Sequence, residues 1–212
     1  RDRTGVSPAS LDDGFTVERF VEYVTRVPML FVRRDGEYVD LAGRSFERFL
    51  GGEEGESPVF QDYVDHLTTI FTEARLKQHV EMRSADADGL EGMMAALAFW
   101  KGIVYDATAL DGALALAPRL DEGGFRRLQV EAARHGLGAR SGDVRVLDMA
   151  REAVELATDG LGRIAPDEVH YLDPLVDRVA VRGECPADRV IRDFEGAWHG
   201  DPARAVEAMR VA

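Results

Sequence analysis

Along the first ninety residues the apolar positions change period several times. Phe20, Val21, Val24 and Val27 recur at helical spacing behind Thr16, a suitable N-cap, and Pro28 ends the run. In MLFVRRDGEYVDL two β-prone runs flank Asp35-Gly36, a pair suited to a tight turn with positive φ, which predicts a hairpin. SFERFL predicts a short helix closed by Gly51-Gly52, and GGEEGESP reads as a solvated acidic loop. DYVDHLTTIF then leads into RLKQHVEMRSAD, Arg75 to Asp86. Here Leu76, Val80 and Met82 share one phase with Gln78, whereas Arg75, Lys77, His79, Glu81 and Arg83 occupy the other. Read as a single strand rising about 3.3 Å per residue, the titratable row lines one face over about 26 Å.

After Asp86 the pattern turns helical. Met93, Met94, Leu97, Phe99, Trp100, Ile103 and Val104 make a helix apolar over most of its girth, which predicts a central position. ATALDGALALA continues helically to Pro118, and GFRRLQVEAARHGLG stops at Gly136 or Gly138. Val144, Leu147, Ala150, Val154 and Ala157 form one stripe with Asp143 as the front cap, and Pro166 opens a further helical turn. Two more helical pieces close the chain. The expected fold class is therefore α+β: residues 1–88 mixed, behind an irregular lead-in over 1–14, and residues 89–212 mainly helical.

Composition narrows the function classes. The 212 residues are 45% hydrophobic and 31% charged, ordinary for a soluble globular chain. A formal charge of -13 repels phosphate polymers, so nucleic acid is not an expected partner. No segment reaches the roughly 18 apolar residues of a membrane span, and neither membrane partner nor signal peptide is expected. Cys185 is the sole cysteine, which forbids an intrachain disulfide and suits a cytoplasmic location. The chain opens Arg1-Asp2-Arg3 without methionine, so a piece of a longer protein is expected. There is no GxGxxG, GxxxxGK[ST], HExxH or GxSxG motif, which argues against a Rossmann or P-loop site, a zincin and a hydrolase elbow. His66 and His79 have no second His or Cys at ligand spacing, and Cys185 has no CxxC partner.

Two readings of the charged strand compete. One is a solvent-facing strand whose charges block edge pairing. The other is the floor of a ligand cavity, with Glu81 holding a hard cation through oxygen, Arg83 gripping phosphate by its fork, and Lys77 and Arg75 extending the positive track. Pattern alone leaves both open.

The segment DHLTTIFTEARLKQHVEMRSADA resembles the signature of the glutamate-cysteine ligase family, in the branch shared by plants and many bacteria. The matching positions are His66, Leu67, Thr68, Thr69, Phe71, Glu73, Arg75, Leu76, Lys77, Glu81, Arg83, Ala85 and Asp86. AFWKGIVYD and PMLFVRRDGEYVD are similar to neighbouring family segments, and the likeness spans about residues 15–140, continuing more weakly beyond. The resemblance implies ligation of the γ-carboxyl of glutamate to the amine of cysteine, driven by ATP and Mg2+ through γ-glutamyl phosphate, the first step of glutathione or related thiol biosynthesis. It implies a glutamine-synthetase-like fold, a curved antiparallel sheet with helices outside. Within Glu-x-Arg, Glu81 matches a magnesium ligand and Arg83 a phosphate-gripping catalytic residue. The family's other metal-binding glutamates have no match here, since Glu18, Glu22 and Glu47 fall in helices as surface charges. The expectation is therefore the C-terminal half of the enzyme, inactive by itself and needing an N-terminal half as partner. The alternatives are a non-catalytic helical interaction module and a carboxylate-amine ligase using another amine.

Overall fold

The computed structural model describes residues 3–7, 14–52, 57–86, 88–116 and 120–210. Most of the lead-in over 1–14, the centre of the acidic loop (53–56) and Pro118 lie outside the described residues. The chain divides into two compact units, Arg1–Ala85 and Asp86–Ala212.

The first unit begins with β1 (Thr4–Gly5), so the expected irregular lead-in holds a short strand. Helix α1 (Val17–Arg26) starts where the Thr16 hydroxyl accepts from the Arg19 N–H. Strands β2 (Phe31–Arg34) and β3 (Glu37–Asp40) form the expected hairpin, with Asp35 and Gly36 both at positive φ (52° and 88°). Helix α2 (Phe46–Leu50) follows, capped by the Ser45 hydroxyl, and then α3 (Phe60–Thr68). β4 (Phe71–Thr72) pairs in parallel with β1, and β5 (Ala74–Leu76) pairs antiparallel with β6 (Val80–Met82).

Two apolar clusters hold this unit. Phe20, Val24 and Val27 of α1 and its C-cap meet Leu67 and Ile70, with Leu76 packed against them. Met29, Val32, Leu41, Phe46 and Phe49 form the second. Between them His66 is buried, stacked on Phe46 at 4.2 Å between ring centroids, and its Nε2 lies 3.0 Å from the Val24 carbonyl. Arg34 clamps the buried Asp62 through two bonds of 2.7 and 2.9 Å, and Asp62 accepts from the Val59 N–H to cap α3.

The second unit is helical. Helix α4 (Leu90–Val104) does not run on into the next element as the sequence suggested. Asp106 intervenes, accepting from the Ala109 N–H at 2.8 Å and thereby starting α5 (Ala107–Leu116). Arg163 grips the same carboxylate at 2.7 and 3.0 Å, which lowers the Asp106 pKa to about 2. Helix α6 (Glu122–His135) ends at Gly136 (φ 53°). Strands β7 (Arg140–Ser141) and β8 (Val144–Arg145) then form a second departure from expectation. Gly142 at φ 58° lets the chain reverse, so Asp143 sits in a turn instead of capping a helix.

Helix α7 (Val146–Ile164) begins only after that hairpin. A 3₁₀ segment (Pro166–Leu172), the single turn α8 (Asp173–Leu175), a π-helical stretch (Val176–Arg182), α9 (Pro186–Glu195) and α10 (Pro202–Ala208) complete it.

The core of this unit joins Ala98, Ile103, Ala157, Leu161 and Leu172. Helix α4 packs on α7 as expected of a central helix, but through its small residues. A Cβ on Gly102 would overlap the Ala157 carbonyl, and one on Gly160 would overlap the Gly102 carbonyl. Met93, Leu97 and Val104 are exposed instead. Among the described residues the strands pair two by two, three ladders antiparallel and one parallel, in keeping with an α+β chain.

Candidate active site

The charged stretch is a hairpin and not one strand. The chain reverses over Lys77-Gln78-His79, closed by the Lys77 N–H on the His79 carbonyl at 2.9 Å. None of these three residues is Gly, Pro, Asn or Asp, so no turn signal marks the reversal. The consequence is large. In an extended strand Arg75 and Glu81 would stand about 20 Å apart. In the ribbon they are directly opposed cross-strand neighbours.

Their side chains meet. Arg75 Nε and Nη2 both donate to Glu81 Oε2, at 2.8 and 2.6 Å. Arg83 lies two residues past Glu81 on the same face, and its Nη1 donates to Glu81 Oε1 at 2.9 Å. One carboxylate is thus held between two guanidiniums, each on its own oxygen. These bonds keep the Glu81 pKa below the usual carboxylate value, Arg75's hydrogen bond being the largest cause, ahead of burial, which acts the other way, and of the two charges.

The two arginines differ in surroundings. Arg75 is 7% exposed, and its Nη1 donates to the Thr68 carbonyl at 3.0 Å and the Ile70 carbonyl at 3.1 Å. Its fork is used inside the protein, on two backbone carbonyls and the Glu81 carboxylate. Arg83 and Glu81 keep about 30% of their side chains accessible. The Arg83 guanidinium stands 5.7 Å from the Phe71 ring centroid, and its backbone N–H is tied to the Glu73 carbonyl at 2.8 Å. No partner is found for its Nε and Nη2 among the described residues. Lys77 lies in the turn, outside the ion-paired cluster, and His79 is exposed.

The apolar phase behaves unevenly. Leu76 packs on the core, whereas Val80 and Met82 are exposed. Thr68 turns its hydroxyl back to the Asp65 carbonyl, and buried Thr69 receives Arg3 on both its oxygens, at 2.8 and 2.9 Å. Both threonines therefore shape the entry to β4. Phe71 was visible in the motif without a role, and only the hairpin reveals it as the surface beneath Arg83.

Magnesium would find one oxygen ligand here. Glu81 accepts one guanidinium on each oxygen, yet an ionised carboxylate offers about four acceptor sites, so capacity remains. Among the described residues no group of three or more His, Cys, Asp or Glu side chains could hold a metal ion. The donor set fits a cation bound through one carboxylate plus phosphate oxygens, the habit of magnesium.

An acid beside an accessible guanidinium, on a short ribbon of an α+β unit, defines a site suited to phosphate with a hard cation. Comparison with known proteins gives the family. The model of glutamate-cysteine ligase family 2 (GCS2) matches residues 1–208, and the chain belongs to that family.

Among its relatives are the chloroplastic glutamate–cysteine ligases of Brassica juncea (37% identical over 202 residues) and Medicago truncatula (38% over 204). Ligase A of Oryza sativa subsp. indica is 37% identical over 200 residues. These alignments cover 92–93% of this chain but only 39–40% of the relatives, so the chain spans about two-fifths of their length. All three relatives are named chloroplastic, which overturns the expectation of a cytoplasmic location drawn from a single cysteine. No described helix is long and apolar enough to cross a membrane.

Proposed function

We propose that this chain supplies the ATP-facing part of a glutamate–cysteine ligase, with the rest of the active site contributed by sequence outside it. The reaction joins the γ-carboxyl of glutamate to the amine of cysteine at the expense of ATP, the opening step of glutathione or a related thiol pathway. The observation that carries the reading is the side-by-side presentation of the Glu81 carboxylate and the Arg83 guanidinium on one ribbon face.

Arg83 is the catalytic residue of this reading. Its Nε and Nη2, without a partner among the described residues, suit two phosphate oxygens, and Nη1 stays anchored on Glu81. As phosphate passes from ATP to the glutamate γ-carboxyl, charge on the equatorial oxygens is stabilised by that fixed cation. The acyl phosphate so formed is attacked by the cysteine amine, and phosphate leaves. Glu81 is the magnesium ligand; bound Mg2+ would neutralise phosphate charge. Lys77, partly buried in the turn, adds positive charge near the nucleotide. Family membership and the antiparallel ribbon support placing this hairpin in a glutamine-synthetase-like sheet.

The test is Arg83→Ala in the enzyme as its gene encodes it. Glutamate-dependent phosphate release from ATP should fall by about 100-fold or more, with the circular dichroism spectrum unchanged. Wild-type turnover would remove Arg83 from the chemistry. An amine screen should show cysteine as the preferred acceptor.

A further inference from the structure

Arg75 is one of the few charged residues withdrawn from solvent, and the reaction as drawn gives it no contact with substrate. Its bonds run in two directions. Toward the core, Nη1 holds the Thr68 carbonyl at the end of α3 and the Ile70 carbonyl just before β4. Toward the surface, Nε and Nη2 hold a single oxygen of Glu81. Glu81 then holds Arg83 by its other oxygen. The backbone at the end of α3 is thereby linked through Arg75 to Glu81, and through Glu81 to Arg83.

A glutamate on a three-residue strand would otherwise retain much rotamer freedom, which ordering would have to overcome. Nor does an isolated two-stranded ribbon hold itself rigid. The planar guanidinium meets both needs, because it addresses groups on opposite sides at fixed angles. A lysine ammonium would bring the same charge without the fixed fork.

We infer that Arg75 is a positioning residue: it orients the Glu81 carboxylate, and with it the Arg83 fork, toward the metal nucleotide. This rests on the reading that Glu81 and Arg83 face that nucleotide.

The experiment compares Arg75→Lys, Glu81→Gln and Arg83→Ala in the gene-encoded enzyme. Two quantities are measured: Mn2+ binding in the presence of a non-hydrolysable ATP analogue, by electron paramagnetic resonance, and kcat against KM for each substrate. Arg75→Lys should weaken Mn2+·nucleotide binding by about 10- to 100-fold, as loss of a residue supporting a metal ligand does. It should lower kcat while leaving the KM for glutamate unchanged, and it should remain folded.

If Arg75→Lys matches wild type while Glu81→Gln and Arg83→Ala lose binding and turnover, the positioning role fails and the functional reading stands. If all three match wild type, both fail. A lower melting temperature with unchanged Mn2+ affinity per folded molecule also overturns the inference, since Arg75 would then be structural only. Should Arg75→Lys fail to fold, Glu81→Asp serves instead. It keeps the charge but draws the oxygens back by one methylene, and unchanged Mn2+ binding in it would overturn the positioning role.

Discussion

A buried imidazole shows how one residue's protonation reaches the stability of a whole unit. His66 is 2% exposed, and its Nε2 must donate, because its partner, the Val24 carbonyl, can only accept. Burial is the main force pushing its pKa below the ordinary 6.5, helped by the charge of Arg3. The sign follows by linkage: below 6.5 the unfolded chain takes up a proton that the folded chain refuses. Stability of the first unit should therefore be full above pH 6.5 and decline as pH falls toward the lower folded value. Urea midpoints at pH 7.5, 6.5 and 5.5 will check this. A His66→Gln variant should be less stable throughout but lose the slope across that window. If it keeps the slope, the dependence lies with another group.

Elements were legible in the sequence where local chemistry decided them. Thr16 capping α1, Asp35-Gly36 turning β2 into β3, and Gly51-Gly52 closing α2 each carry their own signal. The ribbon around Arg75 and Glu81 carried none, because its turn is Lys-Gln-His and its cross-strand ion pair joins residues six apart. Strict alternation therefore pointed to one strand. The residue types at the site were readable, but their opposition across a turn was not. Helix α4 misled in another way. Its bulky apolar residues suggested the core, and Ile103 does lie there, but Met93, Leu97 and Val104 are exposed and the closest approach to α7 is made by Gly102, Ala157 and Gly160, where backbone proximity makes the packing. A methyl group there has no room. Gly160→Ala should cost about 1–3 kcal/mol, as overpacking does, even though alanine is the better helix former. Thermal melts of the two proteins will decide, and an equal or higher midpoint for the variant would mean the helices separate freely.

On the scale of the whole chain, two units each own a core. The clusters around Val24 and Phe46 lie in Arg1–Ala85, and the cluster around Leu161 lies in Asp86–Ala212. Residues 86–212 expressed alone should give a helical spectrum and a cooperative melt, and a non-cooperative one would show that this core depends on the remainder. At this scale the chain spans about two-fifths of its relatives' length. One detail of the first unit also governs how such a sequence can drift. The pairing of Arg75 with Glu81 depends on a count of residues as much as on their identity. Adding or deleting a single amino acid among Lys77, Gln78 and His79 would slip the register and swing the carboxylate to the ribbon's other side. Indel tolerance there should be nil, although the exposed side chains of Gln78 and His79 remain open to substitution.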